Sequence, residues 1–296
     1  MKDYLSIVLL FIAVSLYAND VSDDVTCDLD EVKSVKTKSS MQKWLDHDFG
    51  LRPYKVNYIL PYAFREDAYE SNIPSLEYKN IEAELQISLQ LQVGNDIFGL
   101  GEKYYVSYTQ QAFWQIYAES APIRETTYNP EAFVIFPIED DDDYFRFRSL
   151  KFALAHLSNG QANTKDVVFD NNQALGNLSR SVNYVYTTLR LQHKSIVLDL
   201  EAWIPFPEDP EKSDNVDLMD YWGYTSAKVT YFLDEHMFTL KGRGNFGTRK
   251  GAVEATYSYP LIHNYFFAKV FSGYGESLID YDEYITKVSV GFSFSR

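Results

Sequence analysis

The chain has 296 residues, enough for one large domain or two ordinary ones. Its 46% hydrophobic content excludes wholesale disorder, and its net charge of −15 argues against nucleic acid as a partner. Aromatic residues make up 16%, a weighting that favours strands and oil–water boundaries, and a lone cysteine, Cys27, rules out an internal disulfide.

In chain order, Lys2, the apolar run 5–16 and the small residue Ala18 before Asn19 read as a secretory leader, residues 1–18, cleaved after Ala18. As a membrane anchor the run is short, since a spanning helix needs about 20 apolar residues. Residues 19–52 are charged and unpatterned and read as a periplasmic amino-terminal segment. From 53 to 296 the chain alternates. In Glu82-Ala83-Glu84-Leu85-Gln86-Ile87-Ser88-Leu89-Gln90-Leu91-Gln92 one parity is polar and the other apolar, a strand with one wet and one greasy face. Twelve such runs are expected, at 54–62, 82–93, 103–116, 131–138, 145–156, 183–191, 195–205, 224–233, 236–244, 251–259, 265–272 and 284–294.

No later segment has the apolar length of a membrane helix, so a membrane-bound chain must close its strands on themselves to pair every backbone polar group. An even strand count suits an outer-membrane barrel. Links after even-numbered strands are mostly short, such as Gln192-His193-Lys194, whereas 63–81, 117–130, 157–182, 206–223 and 273–283 follow odd-numbered ones. The expected fold is therefore all-β: a twelve-stranded antiparallel transmembrane β-barrel with short periplasmic turns, long extracellular loops and both termini periplasmic. The acidic run Glu139-Asp140-Asp141-Asp142-Asp143 reads as a solvated turn. Phe294 takes the place of the aromatic residue on which such barrels commonly finish.

One cluster carries chemistry. Leu150, Phe152 and Leu154 share the lipid-facing parity, and His156 and Ser158 continue it. On the next strand Asn183 shares parity with Val185, Thr187 and Leu189, so it meets His156 at one rim of the greasy face. Polarity there is costly, which makes the trio informative. Ser158 becomes a nucleophile when a base takes its proton. His156 can be that base, and Asn183 can fix the imidazole tautomer by accepting from its other N–H. Asparagine lacks the charge of aspartate, which points to a further source of transition-state stabilisation such as a cation. By itself the trio reads equally well as interfacial polarity.

Longer blocks settle the choice. His156-Leu157-Ser158-Asn159-Gly160, Ser179-Arg180-Ser181-Val182-Asn183, Ser107-Tyr108-Thr109-Gln110 with Trp114-Gln115, Arg124-Glu125-Thr126-Thr127-Tyr128 and Ser272-Gly273-Tyr274-Gly275-Glu276-Ser277-Leu278-Ile279-Asp280-Tyr281 occur in the order seen in the outer membrane phospholipase A family, which the sequence resembles from about residue 54 to its end. The resemblance implies Ser158 as nucleophile, His156 as general base and Asn183 as its orienting partner. It also implies dependence on Ca2+ and on a homodimer. The ion would be held by Ser179, the main-chain carbonyl of Gln161, Asp214 and Ser120 of the partner subunit, with Gln110 in the dimer interface.

The chain departs from the family in three places. Gln161 stands where the family usually has arginine, and Val182 replaces an aromatic residue. The loop 161–178 is an insertion rich in Asn and Asp where the family's loop is short. A further acidic position has no clear counterpart there; Asp166 or Asp170 could substitute.

The expected function is a calcium-dependent phospholipase (A1/A2) in the outer membrane of a Gram-negative bacterium. It would hydrolyse acyl esters of phospholipids and lysophospholipids at the outer leaflet and be activated by dimerisation. Two rivals are a passive pore, drawing on inward Glu82, Glu84, Gln86, Gln90, Asp199 and Glu201, and an inactive barrel scaffold. His193, His236 and His263 fall on turns without ligand spacing.

Overall fold

The computed structural model describes residues 33–45, 50–71, 76–138, 144–161, 163–168, 174–207 and 213–296. The leader, Cys27, the 139–143 acidic run and Asp170 lie outside them. The chain divides into two units, Met1–Gly50 and Leu51–Arg296. Within the first, the segment expected to be unpatterned contains helix α1, Val35–Leu45, started by Ser34 Oγ accepting the Thr37 N–H at 3.3 Å.

The second unit is built from strands. They are β1 (Arg52–Pro53), β2 (Tyr58–Arg65), β3 (Ile81–Asn95), β4 (Lys103–Trp114), β5 (Ile123–Pro137), β6 (Arg146–Ser158), β7 (Asn163–Val168), β8 (Ala174–Asn177), β9 (Ser181–His193), β10 (Ile196–Pro205), β11 (Thr225–Leu233), β12 (His236–Asn245), β13 (Lys250–Pro260), β14 (Tyr265–Tyr274) and β15 (Tyr284–Ser293), with a short helix α2 (Leu218–Trp222) before β11. Apart from β1, β7 and β8, each strand pairs antiparallel with the next, and β15 returns to β2, closing twelve strands as expected. The seam is sewn at one rim, where Asn57 Nδ2 donates to Ser295 Oγ at 2.9 Å and the Phe294 N–H to the Asn57 carbonyl at 2.7 Å. We call this the near rim; β6 ends at the opposite, far rim.

Alternation sorts the side chains. On β3, Ile87 is 58% exposed on the outer wall while its neighbour Ser88 is fully buried. The lumen is closed by charge pairs. Lys287 Nζ reaches Glu276 at 2.5 Å, Glu82 at 3.3 Å and Glu84 at 3.4 Å, Lys269 pairs with Glu84 and with Glu276 at 3.0 Å, and Arg124 Nε meets Glu82 at 3.0 Å. Glu82 and Glu84 therefore do not line water as the pore reading requires: both are fully buried and neutralised by fixed cations. Asp199 is likewise paired, with Arg190 and Lys228.

Two strand starts and the insertion differ most from the sequence reading. The fourth barrel strand starts at Ile123, not 131, because Arg124, Glu125, Thr127 and Asn129 all face the polar interior and mimic loop composition. The first starts at Tyr58, not 54, because Tyr54 and Lys55 turn their side chains inward: Tyr54 stacks on Phe133 at 5.1 Å, and Lys55 reaches Glu131 at 2.6 Å. The insertion 161–178 is not an open loop; β7 and β8 pair with each other as a separate hairpin. Near the near rim His236, Phe238, Tyr257 and Tyr259 form an aromatic cluster, with His236 Nδ1 2.8 Å from the Tyr257 hydroxyl, the belt expected at a membrane boundary.

Candidate active site

The last residues of β6 and the first of β9 meet at the far rim, with His156 opposite Asn183 and Ser158 opposite Ser181. Phe152 and Leu154 are 48% and 49% exposed, whereas Ala153 and Ala155 are buried, so His156 and Ser158 follow the outward parity. Asn183 shares the outer face with half-exposed Val185, between buried Val182 and Tyr186. His156 Nδ1 lies 2.8 Å from Asn183 Oδ1. An amide oxygen can only accept, so Nδ1 carries the proton and Nε2 is left as the acceptor. The Asn183 main chain is fixed in turn by the Phe206 N–H, 2.7 Å from its carbonyl. Among the described residues no hydrogen bond joins the Ser158 hydroxyl to the imidazole. Residues two apart on a strand stand roughly 6.5–7 Å apart, and such contacts commonly close only around substrate.

The turn after Ser158 is shaped by Asn159, a residue that sequence reasoning did not single out. Its Oδ1 accepts the N–H of Gln161 at 3.2 Å and of Arg180 at 3.0 Å, while its Nδ2 donates to the Leu178 carbonyl at 2.8 Å and to Glu125 at 3.3 Å. One buried side chain thus joins both ends of the insertion to β5. Gly160 follows with φ +64°, and a Cβ there would lie 2.9 Å from the Tyr128 ring. Gly160→Ala is expected to cost about 1–2 kcal/mol from the left-handed backbone and to slow turnover by tilting this turn. Thermal unfolding in micelles and fatty-acid release, both unchanged, would contradict this.

The residues assigned to calcium fall on far-rim loops. Gln161 precedes β7 and Ser179 follows β8, and Asn163 pairs with Asn177 at the base of the hairpin between them. The Asp214 carboxylate accepts from Asn177 Nδ2, two residues before Ser179. Ser120 sits apart on the exposed β4–β5 turn with φ +59°. Among the described residues no three His, Cys, Asp or Glu side chains cluster as metal ligands. The donors in question are two serine hydroxyls, a main-chain carbonyl and one carboxylate, all oxygen, which suits Ca2+ chemically. Nothing is described of the Asp166 side chain, and Asp170 lies outside the described residues.

A second layer braces this loop cluster. Asn215 clamps the β9 start, accepting the Ser181 N–H at 2.9 Å and donating to its carbonyl at 3.0 Å. Tyr281 donates to Asp217, and burial together with that carboxylate pushes its phenol above the ordinary range, keeping it a donor. Gln110 lies on the outer parity of β4 between exposed Val106 and Tyr108 on one side and the far rim on the other, accepting from the Tyr108 hydroxyl at 3.1 Å.

The chain is similar to known proteins over most of its length. The family profile described as phospholipase A1 matches residues 34–294. Phospholipase A1 of Proteus vulgaris is 34% identical over 253 residues, 83% of this chain and 82% of that protein. Phospholipase A1 of Escherichia coli K12 is 30% identical over 94% of this chain and 92% of its own length. Among solved structures, the Salmonella typhi outer membrane phospholipase dimer with bound calcium has a TM-score of 0.73 at 31% identity, covering 83% of this chain and 93% of that one.

Proposed function

The chain belongs to the phospholipase A1 family and is an outer-membrane phospholipase, and from that premise we propose that Ser158, His156 and Asn183 carry the hydrolysis on the outer wall of the barrel. The supporting observation is the 2.8 Å contact between His156 Nδ1 and Asn183 Oδ1 on the face that Phe152 and Leu154 turn toward lipid. An acyl chain lying along that wall brings its ester to the rim without leaving the membrane.

Ser158 Oγ bonds to the ester carbonyl carbon and its proton passes to His156 Nε2. The carbonyl oxygen becomes an oxyanion. Of the amides that follow the nucleophile, Asn159 N–H bonds the Arg180 carbonyl and Gln161 N–H bonds Asn159 Oδ1, leaving the Gly160 N–H for that oxyanion. The carbon–oxygen bond to the glycerol then breaks, and the leaving alkoxide takes the proton from Nε2. Water delivers its proton to Nε2 as its oxygen attacks the acyl group, and Ser158 Oγ recovers that proton on release of the fatty acid. Asn183 holds the ring throughout. Ser179, the Gln161 carbonyl, Asp214 and the partner subunit's Ser120 would hold Ca2+, which when bound adds positive charge near the developing oxyanion. Under this reading the homodimer completes the donor set, and Gln110 lies in its interface.

A long-chain alkyl sulfonyl fluoride tests the assignment. In detergent with calcium it is expected to add one mass equivalent at Ser158, mapped by peptide analysis, and to do so far more slowly with a chelator. Capture at another residue overturns the nucleophile; equal capture with chelator overturns the calcium requirement.

A further inference from the structure

We propose that Asn129 and Lys55, two residues on the lumen side of the wall, are positioning residues for His156, acting on its main chain from behind. This rests on the reading of His156 as the base and extends it to groups that never touch the substrate.

The need arises in the β5–β6 ladder. Tyr128 pairs with Ser158 and Glu131 with Ala155, but the pairs between them are missing. By register Pro130 stands opposite His156, and proline has no N–H to offer. The structure fills the gap with a side chain: Asn129 Nδ2 donates to the His156 carbonyl at 2.9 Å. Asn129 is buried, so its amide has no water to fall back on.

An amide can face either way, and Lys55 decides which. Its ammonium lies 2.9 Å from Asn129 Oδ1 and 2.6 Å from Glu131 Oε1. Because an ammonium only donates, the atom facing it must be the amide oxygen, and the amide nitrogen is then turned toward His156. A flipped amide would set oxygen against the His156 carbonyl. Lys55 is itself fixed, since its N–H bonds Ser88 Oγ at 3.0 Å and the neighbouring Tyr54 N–H bonds the Ser88 carbonyl at 3.1 Å. A line of directed hydrogen bonds therefore runs from the segment ahead of β2, through Asn129 and the main chain of His156, to the imidazole and Asn183.

A double-mutant cycle tests this, with Asn129→Ala, Lys55→Met and the double variant assayed for fatty-acid release from mixed micelles and for sulfonyl fluoride capture. Loss of one directing hydrogen bond predicts kcat about tenfold lower for Asn129→Ala with KM unchanged. Lys55→Met should fall about threefold, and the double variant should match Asn129→Ala alone, because Lys55 acts only through the amide. Asn129→Asp, isosteric and still able to meet Lys55 but unable to donate when ionised, should lose kcat with the folded-barrel gel mobility intact. Additive losses, a shift confined to KM, or both Asn129 variants within twofold of the parent overturn the proposal. Ser158→Ala run alongside separates the failures: if it is inactive while the cycle is flat, only the positioning role falls; if it remains active, the catalytic reading falls and this inference with it.

Discussion

Ser158→Ala is expected to reduce fatty-acid release by about 10⁴-fold or more while leaving KM for phospholipid in mixed micelles little changed. The size follows from the chemistry: without the hydroxyl no acyl-enzyme forms, and His156 can only activate water directly. The hydroxyl sits at the end of β6 with its neighbour Asn159 buried and engaged, so the substitution should leave the Asn159 loop staple and the barrel intact. Release by the variant at the parent rate, with calcium or with chelator, would end the serine hydrolase assignment. A pore would be indifferent to this change. Substantial conductance, equal in reconstituted parent and variant at equal insertion, would revive that rival.

The largest expected loss of stability lies in the lumen. Lys287→Met removes the cation shared by Glu82, Glu84 and Glu276, and Lys287, Glu82 and Glu84 are all fully buried. Breaking a buried pair strands an uncompensated charge, at about 3–5 kcal/mol. Lys269 and Arg124 still neutralise part of the cluster, which places the loss at the lower end of that range. The contrasting variant is Lys228→Met, whose partner Asp199 keeps Arg190 and whose own side chain is well exposed; it should cost under about 1 kcal/mol. Denaturant unfolding in micelles, read by loss of the compact gel form, orders the two. Equal midpoints would mean that the lumen charges are hydrated and that the closed interior described above is wrong.

The outward placement of His156 and Ser158 was legible because Leu150, Phe152 and Leu154 set the parity before the polar residues begin, and Asn183 followed from the same rule on β9. Strand number survived errors at individual boundaries because one face of each strand stays apolar. What escaped was carried by polar residues whose composition imitates loops. Arg124, Glu125, Thr127 and Asn129 look like a turn until a polar interior is there to receive them. Asn159 and Asn215 gave no periodic signal, since their work is to hydrogen-bond main chains distant in sequence. Lys55 could not have been placed without knowing that Tyr54 and Lys55 turn inward. Once β5 is known to run from Ile123, Pro130 within it marks a place where the ladder must find another donor.

The seam at the near rim has a topological consequence. With the Asn57 amide on the Ser295 hydroxyl, the two ends of the strand circuit sit within hydrogen-bonding reach, so a few residues of linker should join them without disturbing a single rung. New ends could then be opened in the two-residue β11–β12 connection on the same side, giving a circular permutant that inserts its strands in a different temporal order while presenting the same rim chemistry. Such a rearranged chain would separate what the enzyme owes to its finished architecture from what it owes to the sequence in which a membrane receives it.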